Sequence, residues 1–135
     1  MVPRMIIPML VCMDAAREID FCKAAFGAVE QSRRTAADGH VIHATLLIHQ
    51  SLLMIHDASP HLGSRPPQPD ASSPVVNLLY CDDVDATIDK ALAHGATLLM
   101  PAADQAWGDR VGRIMDPAHH VWNISARIAA AASGS

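Results

Sequence analysis

Residues 107–125 read WGDRVGRIMDPAHHVWNIS and predict a β-hairpin. Asp116-Pro117 marks the turn, because proline fixes its own φ angle and has no N–H to donate to a sheet. In the second strand the side chains alternate between two faces. Trp122 and Ile124 share one face, which we expect to pack against a helix, and the other face carries Val121, Asn123 and Ser125. Asn123 is therefore expected on the face away from the helix, and its role depends on what that face contacts.

A strand and a helix precede this hairpin. Val75 to Cys81 is typical of a strand, Asp83 can cap a helix at 84–94, and Gly95 ends that helix. A further strand begins at Leu98 to Met100.

The first half of the chain has the same order of elements. A buried strand is predicted within 5–13, followed by a helix that Asp14 caps and Gly27 ends. The helical stripe consists of Ala16, Ile19, Phe21, Cys22, Ala25 and Phe26. A polar break at 30–40 precedes two strands, at about 41–49 and 51–56.

Residues that recur 69 positions later indicate an internal repeat. The pairs are Cys12 and Cys81, Asp14 and Asp83, Ile19 and Ile88, Asp20 and Asp89, and Ile55 and Ile124. We predict an α+β fold of two βαβββ modules, residues 1–57 and 75–128. A Pro/Ser-rich linker without regular structure joins them at 58–74, and a disordered tail follows at 129–135. Neither module alone buries both its helix and its sheet well, so we expect the two to pair.

Composition narrows the classes of function. The 135 residues carry a formal net charge of −4, which argues against nucleic acid or an anionic membrane as a partner, since both require a basic surface. No apolar run approaches the roughly 18 residues of a membrane span, and the N-terminus does not read as a signal peptide. The cysteines, at 12, 22 and 81, have no metal-ligand spacing. Reduced thiols and a cytoplasmic location are the simplest interpretation.

Short motifs give the chain a family resemblance. They are residues 19–28 (IDFCKAAFGA), 38–44 (DGHVIHA), 84–87 (VDAT) and 107–110 (WGDR) with Asp116-Pro117. With them, the chain from about Ile6 to Ala126 resembles the vicinal oxygen chelate superfamily, which includes glyoxalase I, extradiol dioxygenases and bleomycin-resistance proteins. It looks most like the PhnB-like branch. It departs from the family pattern at Cys22, where tyrosine is usual, and at Ala118-His119, where an Asp-Gly or Phe-Gly turn is common.

The resemblance implies paired modules whose sheets curl around a cavity, commonly within a homodimer. It also implies four metal ligands, one each from the first and last strand of each module. Carried over to this chain, those positions are Pro8, Met54, Asn77 and Asn123. Proline and methionine cannot hold a hard divalent ion, and two neutral amides are poor substitutes. We therefore expect no metal ligands and no cofactor.

Two of the eight histidines are candidates for a different kind of site. By alternation His43 lies on the strand face of Val41 and Thr45, away from the helix, and His56 shares the parity of Met54. Either could be a catalytic base or a ligand contact. A two-histidine metal site and a purely structural role stay open as alternatives.

Trp107 and Arg110 are the other candidates. Trp107 offers a flat wall for an apolar or aromatic ligand, or else a packing cap or a dimer contact. Arg110 is most simply a surface partner of Asp109, or else it neutralises an anionic ligand.

Three functions fit these residues. We favour a binding protein of the bleomycin-resistance kind, an antibiotic-resistance type that sequesters a hydrophobic or aromatic compound in a metal-free cavity, because binding needs only shape, an apolar wall and a few polar groups. The expected cavity residues are His43, Met54, His56, Asn77, Trp107, Arg110 and Asn123. The second function is a metal-free acid–base enzyme using His43 or His56. The third is a divalent-metal-dependent lyase, isomerase or dioxygenase.

Overall fold

In the computed structural model, which describes residues 4–128, each helix begins at the aspartate predicted to cap it. The Asp14 carboxylate accepts the Arg17 N–H at 3.1 Å, and the Asp83 carboxylate accepts the Ala86 N–H at 3.0 Å. Gly27 ends the first helix with a φ of 69°, a left-handed value that glycine adopts without steric cost. Both predicted caps are confirmed.

The first unit, described over residues 4–66, is a four-stranded mixed sheet with one α-helix. Its elements are β1 (Met9–Cys12), α1 (Ala15–Phe26), β2 (Val29–Thr35), β3 (Val41–Ile48) and β4 (Ser51–Asp57). The strand order is β1-β4-β3-β2, with β1 parallel to β4 and the other pairs antiparallel.

The second unit, described over residues 67–128, has the same topology. Its elements are β5 (Val76–Tyr80), α2 (Val84–Ala93), β6 (Thr97–Asp104), β7 (Asp109–Met115) and β8 (Val121–Arg127). The order is β5-β8-β7-β6, and again only the first strand pairs in parallel. The predicted α+β fold of two βαβββ modules is confirmed, while the predicted tail at 129–135 lies outside the described residues.

One face of each sheet packs against the helix of the same unit. In the first unit Ile19 of α1 is fully buried, as are Leu46 and Ile55 of the sheet. In the second unit Ile88 of α2 is buried, as is Ile124. Burial of these aliphatic side chains stabilises each unit by about 25 cal/mol for each Å² of apolar surface removed from water.

The hairpin of 107–125 forms as predicted, and Asp116 holds its turn. One carboxylate oxygen accepts the N–H groups of Ala118 and His120 at 2.9 and 3.0 Å. The other accepts the indole N–H of Trp122 at 2.8 Å. Trp122 is 4% exposed, so the turn and the core are fixed by the same carboxylate.

Three local predictions are wrong. The polar break at 30–40 contains β2, an edge strand whose mostly exposed residues show no apolar alternation. β3 has a bulge at Ile42, because Arg34 of β2 pairs with His43 whereas the next residue, Thr35, pairs with Val41. Val41 and Ile42 therefore lie on the faces opposite to those that strict alternation predicted. Within the linker, Pro60–Leu62 forms one turn of 3-10 helix.

The opposite face of each sheet, which we call the open face, is set by strand register. In the first unit it carries Met9, Val11, His43, Thr45, Leu47, Leu52, Met54 and His56. In the second unit it carries Val76, Leu78, Tyr80, Val111, Arg113, Met115, Val121, Asn123 and Ser125.

Candidate functional site

The open face of the first unit brings together three of the predicted site residues. Thr45 pairs with Met54. The next residues on the same face, two positions along each strand, are His43 and His56, which therefore lie side by side. The His43 Nε2 atom lies 3.3 Å from the Met54 sulfur, and both histidines are half-buried. Met9 is the neighbour of Met54 on β1 and is 54% exposed. The result is an apolar surface with two imidazoles.

The protonation of His56 follows from its hydrogen bond. Its Nδ1 atom lies 2.8 Å from the Asp57 carbonyl oxygen. A carbonyl oxygen only accepts, so Nδ1 carries the proton, and in the neutral ring Nε2 is the proton acceptor. The same reasoning makes the His43 Nε2 a weak donor to the Met54 thioether. In the neutral rings the nitrogen left as proton acceptor is therefore Nε2 in His56 and Nδ1 in His43.

The open face of the second unit holds Asn123 as expected, and beside it an arginine that the sequence reasoning missed. The Arg113 Nε atom donates to the Asn123 side-chain oxygen at 2.7 Å. Both side chains are half-buried. The predicted hairpin could have identified Arg113, because residues directly opposite each other on its two strands share a face of the sheet.

A second polar group on this face was also missed. The Tyr80 hydroxyl donates to the buried Asp109 carboxylate at 2.7 Å, and the other carboxylate oxygen of Asp109 lies 3.4 Å from Arg127 Nε. The hydrogen bond to Asp109, helped by partial burial, raises the pKa of Tyr80 above its usual value of 10.0. Ser125 pairs with Tyr80 across the strands, and its hydroxyl is buried without a hydrogen-bond partner among residues 4–128.

Asn77 does not share the face of Asn123. Asn77 pairs with Trp122, so its side chain falls on the helix side of the sheet, and Leu78 is the neighbour of Asn123. Pro8 precedes β1, and its carbonyl oxygen accepts the Met54 N–H at 2.9 Å. The strand neighbours that meet on the open faces are therefore Met9 with Met54, and Leu78 with Asn123.

Arg110 lies away from the open face, and Trp107 is not part of either sheet. The Arg110 guanidinium binds the Asp85 carboxylate of α2 at 2.9 and 3.1 Å, and it binds Asp104 at 3.1 Å. These two acids raise the pKa of Arg110 above its usual value. Trp107 lies in the turn between β6 and β7 and is 67% exposed. The expected Asp109–Arg110 pair is wrong, because successive residues of β7 point to opposite faces.

The residues at the family's ligand positions do not fit a divalent metal. Pro8 and Met54 offer no hard donor side chain, Asn77 falls on the helix side of its sheet, and the amide oxygen of Asn123 already accepts from Arg113. Hard divalent ions prefer imidazole nitrogen and carboxylate oxygen. Within residues 4–128, no group of three or more His, Cys, Asp or Glu side chains is arranged to hold a metal ion.

A separate groove of about 590 Å³ in the first unit is lined by Met13, Asp14, Asp38, Gly39, His40, Asp57, Ala58 and Pro60. Its carboxylates are bonded to backbone N–H groups. Asp57 accepts from Ala15 at 2.8 Å and from Val41 at 2.7 Å, and Asp38 accepts from His40 at 3.0 Å. These bonds tie the start of α1 to the start of β3, which is a structural role.

Comparisons with known proteins agree with this architecture. Residues 5–124 match the sequence model of the Glyoxalase/Bleomycin resistance protein/Dioxygenase superfamily. An uncharacterized protein of Mycobacterium tuberculosis (strain H37Rv) is 42% identical over 120 residues, which cover 87% of this chain and 71% of that protein. No helix in the described part of the chain is long and apolar enough to cross a membrane.

Two solved structures share the fold. A gene product of Arabidopsis thaliana is 25% identical with a TM-score of 0.71, and the match covers 92% of this chain and 99% of that one. A PhnB protein from Bacillus cereus is 20% identical with a TM-score of 0.69, and the match covers 91% of this chain and 99% of that one.

Proposed function

Because the chain belongs to the glyoxalase/bleomycin resistance protein/dioxygenase superfamily, we propose that it binds and sequesters a hydrophobic or aromatic small molecule without a metal. We further propose that it belongs to the PhnB-like branch, and the likeness of fold to the Bacillus cereus protein supports this proposal.

The composition of the open faces carries this proposal. In the first unit Met9, which is 54% exposed, and Met54 give apolar surface beside His56, which is held by a hydrogen bond. In the second unit Leu78, also 54% exposed, gives apolar surface beside Asn123, which is held by a hydrogen bond to Arg113. An apolar wall with few oriented polar groups is the usual composition of a small-molecule site. A binding site of this kind needs none of the metal ligands that the family's enzymes require.

Calorimetry with 2-naphthamide, a neutral aromatic probe, tests the proposal. We expect saturable binding, and mass spectrometry of the probe released by denaturation should recover it unchanged. The variant Met54→Lys places a charge on the open face and should weaken binding by about tenfold or more, because that charge must lose water when the probe binds. Ala24→Lys makes the same change in charge on the exposed side of α1 and should bind like the wild type. Absence of binding, or equal binding by the two variants, would contradict the proposal.

A metal-free acid–base enzyme is the second candidate, and the hydrogen bond of His56 favours it. Because Nδ1 of His56 donates to the Asp57 carbonyl, its Nε2 atom is available to take a proton from a bound compound. In that case a compound recovered after incubation would be chemically altered, and His56→Gln would abolish the change while binding persisted. Recovery of only unaltered compounds supports the binding protein.

A further inference from the structure

A row of four side chains crosses the open face of the second sheet. Strand register places Leu78 beside Asn123, Asn123 opposite Arg113, and Arg113 beside Met100. Leu78 and Met100 are 54% and 39% exposed. The row therefore has a polar centre, Arg113 with Asn123, and an apolar side chain at each end.

Arg113 differs from Arg33, Arg110 and Arg127 by the partner that holds it, and it differs from Arg34, the remaining arginine of the sheets, in being half-buried rather than exposed. Arg33 pairs with Glu30, and Arg127 lies against Asp109. Arg110 pairs with Asp85 and Asp104. Arg113 is half-buried, and among the described residues it has no carboxylate within ion-pair distance; its hydrogen bond goes to the neutral amide of Asn123. Removing part of the charge from water costs free energy, which pairing with an anion offsets.

The hydrogen bond to Asn123 also orients the guanidinium. It uses Nε, so the two Nη atoms are left with N–H groups side by side in one plane. Two parallel N–H groups match the two oxygens of a carboxylate, which they bind at both oxygens with short, charge-assisted hydrogen bonds. A lysine at this position would offer a positive charge without the two parallel N–H groups.

We propose that Arg113, positioned by Asn123, binds the carboxylate of a ligand whose apolar body lies on Leu78, Met100 and Met115. This inference rests on the proposed binding function and adds the chemical class of the ligand, a hydrophobic or aromatic carboxylate. Arg113 is the contact residue, and Asn123 is a positioning residue.

Two matched probes, 2-naphthoate and 2-naphthamide, test the inference, since they differ in charge but little in shape. Wild-type protein should bind the carboxylate about 10- to 100-fold more tightly than the amide, the range for a hydrogen-bonded charged pair. Arg113→Gln should remove that preference, because the positive charge and its two parallel N–H groups are lost. Arg17→Gln, on the exposed side of α1, removes the same charge and should keep the preference.

Asn123→Asp is the second variant and decides the question if Arg113→Gln fails to fold. The new carboxylate lies where the amide oxygen accepts from Arg113, so it should pair with the guanidinium and compete with the probe. The Asn123→Asp variant should lose its preference for 2-naphthoate, as Arg113→Gln does. Circular dichroism checks that each variant is folded.

The outcomes separate the two proposals. If the wild type binds 2-naphthamide and 2-naphthoate equally, or if neither variant changes the preference, the carboxylate site is refuted and the binding function stands. If neither probe binds, both proposals are refuted.

Discussion

Arg110 and Arg113 lie three residues apart on β7, yet the pleat of the strand gives them opposite surroundings. Arg110 points to the helix side and meets two aspartates, which fix it as part of the scaffold. Arg113 points to the open face and meets the amide of Asn123. The same residue type is thus structural at one position and available to a ligand at the other.

Tyr80 gives a direct test of the polar group on the open face, because it is the only tyrosine in the chain. Its hydrogen bond to Asp109 stabilises the neutral phenol and raises its pKa. Absorbance of the phenolate during an alkaline titration should therefore show a midpoint above about 10, the value of a free tyrosine. Asp109→Asn should move the midpoint down toward that value, because the anionic acceptor is gone.

The sign of the effect on stability follows from the same shift. A raised pKa means that the folded state holds the phenolic proton of Tyr80 more tightly than the unfolded state does. The stability that this hydrogen bond contributes is therefore fully present below about pH 10 and is lost as the pH rises through the folded-state pKa. Asp104→Asn is the control, since its carboxylate binds Arg110 on the other face. If Asp104→Asn moved the midpoint as far as Asp109→Asn does, the assignment to Asp109 would be wrong.

Among the elements, α2 packs so closely on β7 that Gly112 leaves no room for a side chain. A Cβ atom built there collides with Ile88 of α2 and lies 3.3 Å from the Ala102 backbone. The equivalent position in the first unit is Ala44, which pairs with Ile55 as Gly112 pairs with Ile124. At this one position the central strands of the two sheets therefore differ by a methyl group.

Gly112→Ala should lower the free energy of unfolding by about 1 to 3 kcal/mol, the cost of overpacking a core. Urea unfolding measures the loss. Ile88→Val removes the Cδ1 atom that meets the new methyl group, so Gly112→Ala should cost much less in that background. An equal loss in both backgrounds would show that contact with Ile88 is not the cause.

The elements also show where sequence patterns succeed. The caps of Asp14 and Asp83 were predictable because a cap involves neighbours within three residues. The position of β2 was not predicted, since it lies at the edge of its sheet and pairs on one side only. The bulge before His43 was also not predicted, because it depends on how β2 meets β3.

For the whole molecule, the segment between β4 and β5 is the expected point of cleavage. Residues 58–75 contain one short turn and one isolated bridge, Ser59 with Ser64, and Leu62 is 75% exposed. Proteases cut exposed loops with few backbone hydrogen bonds first. Brief digestion with a non-specific protease should yield two fragments that meet within 58–75, identified by mass spectrometry. A first cut inside any strand of either sheet would contradict this expectation.

Most of the fold was predictable from the chain itself, whereas the site was only partly so. Repeated residues 69 apart, helix caps and alternating strands indicate two βαβββ modules, because these signals depend on neighbours in sequence and on the fixed periods of helices and strands. They placed His43, Met54, His56 and Asn123 on strands whose register brings them to open faces.

Tertiary structure decided the remaining residues. In the parallel pair β5–β8, which joins distant parts of the chain, Asn77 meets Trp122 and Leu78 meets Asn123, although the sequence suggested Asn77 for the face of Asn123. A shift of one residue in register sends every side chain to the other face, and no local signal fixes the register of strands so far apart in sequence. Packing across the second sheet likewise gave Arg113 its neutral partner.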